Sequence, residues 1–351
     1  MKTMKMTYSI PTKIVFGCGS VKELGELSYV KGKRCLLLKF PYFNREDIIS
    51  AVKDSASALI VPDKFEENPS LELITEMSEL LEKENIDTVI AIGGGSTLDT
   101  AKGSVDILNS RIGKILDIVA VPTTAGTGSE VTQYAMITDT KTGNKYNSSK
   151  SGVFARIALC DPELTVSMPK SVTANTAIDA ISHAVEAYFT TSCQGMIDHM
   201  AIESCKRIYK YLPAALKTPD DITARSEVMM GALEGGIALS CCGTVVVHAM
   251  GYELSKQLHI PHGLSNAVMM ASFVELYAKR GCQRAIEIMN IFDGRFREFI
   301  NEALDNKNLF KLSTQLIEDT VKTGMTSYGL AKSIIPLTED DLYQIVKTSS
   351  L

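Results

Sequence analysis

The chain has 351 residues, 45% of them apolar and 22% charged, with a net charge of −5 at neutral pH. That length allows two domains with substantial cores, and the composition is ordinary for a soluble globular protein. The lack of a basic tract argues against nucleic acid as a partner, and no apolar run reaches the ~20 residues of a membrane span.

The opening MKTMKMTYSIPTK has no long apolar segment, so no signal peptide is expected. Eight cysteines, at 18, 35, 160, 193, 205, 241, 242 and 282, show no Cys-x-x-Cys spacing. Most sit in apolar surroundings, which favours reduced core thiols in a cytoplasmic protein. The same spacing argument counts against a metal at adjacent Cys241 and Cys242.

Lys13 to Phe16 reads as a strand, followed by the turn GCGS and the helix VKELGEL. Further strands are predicted at Cys35 to Leu38, Ala58 to Val61, Thr88 to Ile92 and Ile118 to Val121. Helical stretches such as Ser70 to Lys83 lie between them. This alternation predicts a mostly parallel sheet covered on both faces, with ligands at the carboxyl ends of its strands.

The strand TVIAI runs directly into Gly93-Gly94-Gly95-Ser96 and then a helical stretch. Glycines let the backbone approach a ligand closely, and a helix N-terminus suits a pyrophosphate. The spacing is not GxGxxG, so the ordinary Rossmann fingerprint does not apply; a bare glycine turn is the other reading. A second small-residue loop spans Pro122 to Thr132. The hydroxyls of Thr123, Thr124 and Thr127 can contact phosphate, ribose or nicotinamide, or simply shape hydroxyl-closed turns.

The pattern changes after DPELTVSMPKSVT, where Pro162 and Pro169 bracket a connection. Ser171 or Thr173 is placed to cap the next helix. Beyond it the chain reads as helical, for example over Met196 to Tyr211, Ala224 to Leu239 and Glu339 to Thr348. Two domains are expected: an α/β nucleotide-binding domain over 1–168 and a helical metal-binding and substrate domain over 169–351.

In NTAIDAISHAVEAY, Asp179 and His183 stand four residues apart and share a helix face. Such a pair is either an acid beside a partly buried imidazole or two ligands of one divalent cation. The stretch VVVHAMGYELSKQLHIPHGLSN places His248 in an apolar run and His262 at a turn that opens another helix. A buried imidazole needs a partner, and a metal shared with Asp179 and His183 would supply one. One carboxylate with three imidazoles suits Fe2+ or Zn2+.

DAISHAVE, followed by HAMGY and PHGLSN, resembles the iron-containing (group III) alcohol dehydrogenase family. GGGSTLDTAK and VPTTAGTGSEVT extend the resemblance over nearly the whole chain. It implies a dehydroquinate synthase-like architecture, with a Rossmann-like α/β domain, an all-α domain and a metal in the cleft between them. Asp179, His183, His248 and His262 match the family's metal ligands; the last two show its separation of fourteen residues. The resemblance also implies that the 122–132 loop lines the cofactor cleft and that Gly93, Gly94, Gly95 and Ser96 bind pyrophosphate. Asn68 matches a position beside the adenosine, and Lys145 one near the ribose, although an exposed surface lysine is also an ordinary reading. Asp99 and Lys102 match positions that approach the cofactor and support its loop.

Two positions depart from the pattern. Lys39 stands where NAD-using relatives often carry an acid that accepts from the adenosine ribose. A lysine there either receives the 2′-phosphate of NADP or is a solvated strand-end residue. Tyr252 replaces the second histidine of the common H-x-M-x-H, so the substrate pocket is expected to differ. His199 and His259 have no metal role by this resemblance.

The expected activity is interconversion of a short-chain primary alcohol and its aldehyde by hydride transfer with NAD or NADP, the metal polarising the substrate oxygen. One alternative is a dehydrogenase for a short anionic substrate, such as 4-hydroxybutyrate and its semialdehyde or a sulfonated or phosphorylated aldehyde. Another is a dehydroquinate synthase-like lyase, which would cluster basic residues around the metal stretches, where none is found. A third is metal binding without catalysis. The expected partners are a small-molecule substrate and further copies of the chain, in a homodimer or larger homo-oligomer.

Overall fold

The computed structural model describes residues 7–148, 150–305 and 312–348. The first six residues, used above in reading the N-terminus, lie outside that range. The apolar runs of the N-terminal half form β1 (Lys13–Phe16), β2 (Arg34–Lys39), β3 (Ala58–Ile60), β4 (Thr88–Gly93) and β5 (Asp117–Pro122). After a hairpin of β6 (Met136–Thr138) and β7 (Lys145–Asn147) comes β8 (Ile157–Cys160). Six strands join in the order β1-β8-β5-β4-β2-β3, and every pairing among them is parallel.

Every residue of β4 and of β8 is buried, as expected for strands covered on both faces, whose sequences lack polar alternation. Leu37, Ile90, Ile92, Val119, Val121 and Leu159 pack in one core cluster of this sheet. Helices α1 (Glu46–Ser55), α2 (Leu71–Lys83) and α3 (Gly95–Ile112) link successive strands. Ser70 caps α2 by accepting from Leu73 N at 3.0 Å. The expected helix after β1 is a 3-10 helix over Ser20–Glu26. Its buried Val21 and Leu24 are three residues apart, a spacing that three residues per turn places on one side.

The C-terminal half is helical: α4 (Lys170–Tyr188), α5 (Met196–Lys217), α6 (Ile222–Cys242), α7 (Val247–Leu258), α8 (His262–Lys279), α9 (Gln283–Ile291), α10 (Phe296–Ala303), α11 (Thr314–Met325) and α12 (Glu339–Lys347). The chain divides into two compact units. One comprises Ile10–Thr124 with Ser129–Ser167; the other comprises Ala125–Gly128, Met168 onward and the described residues before Ile10.

From Ala177 to Tyr188 every residue of α4 is buried, and the helix packs against α5, α6 and α8. A helix buried on all sides is a core element, so its polar residues are held inside the helical unit. The cap expected from Ser171 or Thr173 does not form. Pro169, in an extended conformation, is the N-cap and starts the helix at Lys170, which leaves both hydroxyl residues inside it. Thr173 Oγ1 instead accepts from Arg225 Nη1 at 2.8 Å. Among the described residues no single helix is long and apolar enough to cross a membrane; α6 and α7 qualify only as a pair bent by 111°.

Candidate metal centre and nucleotide turn

Helix α4 places Asp179, Ser182, His183 and Glu186 at intervals of three, one and three residues, so they form a single stripe. Helix α7 brings His248, and α8 brings His262 and, one turn later, Asn266. Asp179 Oδ1 lies 3.7 Å from His248 Nε2 and 3.6 Å from His262 Nε2. One donor atom from each of these three residues falls within 4.8 Å of the others. His183 is not part of that trio: its ring stacks on His248 with centroids 4.6 Å apart. The fold therefore gathers all four expected ligands, with three of them converging. Asp179, His183 and His248 are buried, whereas the His262 side chain is partly exposed.

Two residues that the sequence reading missed hold this cluster. The Glu186 carboxylate contacts His248 Nδ1 and accepts from Val245 N, Val247 N and His248 N at 2.9, 2.9 and 3.0 Å. Asn266 Nδ2 lies 3.1 Å from Asp179 Oδ1 and 3.2 Å from His262 Nε2. Both had a faint signal. Glu186 extends the Asp179 stripe at i+7, and Asn266 follows His262 by one helical turn.

Burial and neighbouring charges act in opposite directions within the cluster. Burial opposes the charge on Asp179, yet His183, His262 and His248 hold its carboxyl far below the usual range. Burial lowers His183 to about 4 despite the neighbouring Asp179. Burial also disfavours protonated His248, but Glu186 and Asp179 overcome it and raise the imidazole to about 9. His248 Nε2 is buried without a hydrogen-bond partner. Buried polar atoms are normally paired. An unpaired imidazole nitrogen beside a buried carboxylate and a second imidazole fits a borderline divalent cation.

Tyr252 lies on α7, one turn after His248. Its ring stacks on His262 with centroids 4.7 Å apart and planes 10° from parallel.

In the α/β unit, β4 ends at Gly93, Gly94 is the N-cap of α3, and Gly95 is that helix's first residue. A Cβ at Gly93 would lie 2.2 Å from Thr97 Oγ1, so the close strand-to-helix turn excludes any side chain there. Thr123 N donates to Gly93 O at 2.9 Å, placing the second loop beside the first. Thr124 borders Gly94, where a Cβ would come within 3.1 Å of Thr124 Cγ2. Thr127 falls in the short segment that groups with the helical unit.

The remaining expected cofactor residues divide by what they touch. The Ser96 hydroxyl donates to the Glu67 carbonyl. Asp99 accepts from Ser129 Oγ at 2.6 Å and from Met136 N at 3.0 Å. Buried Lys102 donates to the carbonyls of Ser129, Thr132 and Tyr134, so it fastens the segment after the threonine loop. Lys145 Nζ donates to Asn68 Oδ1 at 2.8 Å, joining two of the expected positions. Lys39 ends β2, paired with Ile92 of β4 one residue before the glycine turn.

Residues 11–162 match the family described as iron-containing alcohol dehydrogenase, and residues 173–347 match the C-terminal part of the same family. Choline dehydrogenase of Bacillus subtilis is 34% identical, covering 77% of this chain and 72% of that protein. The 1-propanol dehydrogenase PduQ of Citrobacter freundii is 31% identical, covering 78% and 74%. The structure of sulfoacetaldehyde reductase from Bifidobacterium kashiwanohense in complex with NAD+ is 26% identical, covers 98% of both chains and superposes with a TM-score of 0.87. The two family matches define an alcohol dehydrogenase, and the parallel sheet and the acid–imidazole cluster of the helical unit accord with that class. The chain belongs to the iron-containing alcohol dehydrogenase family.

Proposed function

We propose that this protein interconverts a short-chain primary alcohol and its aldehyde by hydride transfer with a nicotinamide dinucleotide, using one divalent cation held by Asp179, His183, His248 and His262. The observation that carries the reading is the convergence of buried Asp179 with His248 and His262, their donor atoms within 4.8 Å of one another. His183 completes the set from its place stacked on His248. The cation, when bound, acts as a Lewis acid toward the substrate oxygen. Fe2+ is the first choice and Zn2+ the second, since imidazole and carboxylate suit both.

This chain's residues then bind and orient. Glu186 and Asn266 fix the directions of His248 and Asp179. Tyr252, stacked on His262, contributes to the substrate pocket. The glycine turn and the α3 N-terminus receive the pyrophosphate. Asn68 and Lys145 act on the adenosine side, while Asp99 and Lys102 approach the cofactor from α3 and brace its loop. Lys39 favours NADP, because a cation at the end of β2 suits a 2′-phosphate.

The likeness to sulfoacetaldehyde reductase supports a second reading, in which the substrate is a short anionic aldehyde. Eight free cysteines suit a cytoplasmic setting, and homo-oligomeric assembly is part of the same proposal. Oxidation of NAD(P)H is to be followed with propanal, sulfoacetaldehyde and succinate semialdehyde on metal-loaded protein. Activity on at least one aldehyde, lost on chelation, is expected. No turnover of any of them, with cofactor bound, would overturn the reading.

A further inference from the structure

Glu186, on α4, has four polar partners. It is fully buried, and among the described residues its ion-pair partner is His248 rather than a lysine or arginine. Its Oε1 accepts from Val245 N and Val247 N, both at 2.9 Å. Its Oε2 accepts from His248 N at 3.0 Å and contacts His248 Nδ1. Three of these four partners are backbone N–H groups, those of Val247 and His248 in the first turn of α7 and that of Val245 just before its N-cap. A helix start leaves such donors unpaired unless something caps them. Val246, the N-cap of α7, offers no side-chain bond. Glu186 therefore caps α7 from α4, across about sixty residues of sequence.

The fourth contact has a chemical consequence. An ionised carboxylate only accepts hydrogen bonds, so it requires a proton on His248 Nδ1. Any lone pair on that ring must then reside on Nε2, the atom that faces Asp179 Oδ1 at 3.7 Å. We propose that Glu186 is a positioning residue for the metal centre: it locks His248 into the tautomer that presents Nε2 to the cation, while the same carboxylate ties the start of α7 to the helix carrying Asp179 and His183. Partners of this kind orient ligating histidines generally and tune metal affinity by about 10- to 100-fold.

The proposal rests on the metal reading above, and the test separates the two. Glu186→Gln keeps the shape but replaces one oxygen with a donor. If the amide nitrogen takes the place of Oε2, it opposes His248 N–H and forces a proton onto Nε2. If it takes the place of Oε1, it opposes the N–H groups of Val245 and Val247. Neither orientation satisfies all four partners. Co2+ and Zn2+ affinities of the parent and Glu186→Gln are to be measured by chelator competition, together with the thermal midpoint of each metal-free protein. An affinity loss of about 10- to 100-fold, larger than that of Ser226→Ala at a half-buried position of α6, is expected. Equal affinities in the parent and Glu186→Gln would overturn the role of Glu186 while leaving the metal centre intact. A parent that binds neither ion would overturn both.

Should Glu186→Gln not fold, nitrogen NMR of the Zn2+-loaded parent decides alone. The proposal requires a proton on His248 Nδ1 and zinc on Nε2. A deprotonated or zinc-bound Nδ1 would refute it.

Discussion

Asn266 on α8 reaches Asp179 on α4, its amide nitrogen 3.1 Å from Oδ1 and also 3.2 Å from His262 Nε2. One side chain thus spans the only carboxylate among the proposed ligands and the imidazole one turn before it. Replacing Asn266 with Ala leaves Asp179 with one fewer donor in a fully buried setting. A loss of roughly 1.5–3 kcal/mol is expected, the usual range for a hydrogen bond to a charged group. Chemical denaturation of the metal-free protein measures it; an unchanged midpoint would mean that Asn266 is not coupled to Asp179.

Gly251 tests the same contact from α7. A Cβ there would lie 2.1 Å from Asn266 Oδ1. Gly251→Ala is expected to destabilise by about 1–3 kcal/mol through overpacking and to displace Asn266. In an Asn266→Ala background most of that cost should vanish, because the opposing atom is gone. A cost that stays the same in both backgrounds would place the strain elsewhere.

Glu130 provides a pH dependence in the α/β unit. It is buried in the 3-10 turn Ser129–Val131, and desolvation pushes its carboxyl up from an ordinary 4.5 to about 7. The folded chain thus keeps a proton that the unfolded chain releases between those values. Stability from this group is complete below the unfolded pKa and is lost as pH rises through the folded one. The swing is on the order of 3 kcal/mol. Glu130→Gln should flatten the stability profile between about pH 4.5 and about pH 7. An identical slope in the variant would assign the dependence to another group.

Much of the fold was readable because burial leaves its mark on local sequence. β4 has no polar alternation and runs straight into glycine, which is what a central parallel strand ending in a tight turn requires. Asp179 and His183 were visible through helical spacing, and His248 and His262 through the family motif. Glu186 was harder to see. Its partners begin 59 residues away, and three of them are backbone N–H groups, which no residue type announces. The failed cap at Ser171 and Thr173 has a similar origin: hydroxyl residues near a helix start signal a cap, but Pro169 had already set the boundary. The short hairpin of β6 and β7 lay hidden in a polar stretch whose pairing depends on register rather than hydrophobic pattern.

Lys39 should shape cofactor choice. With a lysine at the end of β2, NADPH is expected to be used at least as well as NADH. Lys39→Asp should shift the ratio of kcat/KM toward NADH. A strong NADH preference in the parent, unaltered by the substitution, would remove Lys39 from cofactor recognition.

Tyr252→Phe should lower turnover while metal content stays near that of the parent, since the ring stacked on His262 is retained and only the hydroxyl is lost. Loss of metal in this variant would make Tyr252 a support of the metal centre instead.

The central claim is one divalent cation per chain, held by Asp179, His183, His248 and His262 and required for turnover. Elemental analysis and NAD(P)H-coupled activity are to be measured together on the parent, the chelated parent and His262→Ala. Close to one equivalent of metal is expected in the parent. Activity should be lost on chelation and restored by Fe2+ under reducing conditions. His262→Ala should be inactive yet still bind cofactor, whose glycine turn belongs to the other unit. Full activity in the metal-free parent, or in His262→Ala, would contradict the account.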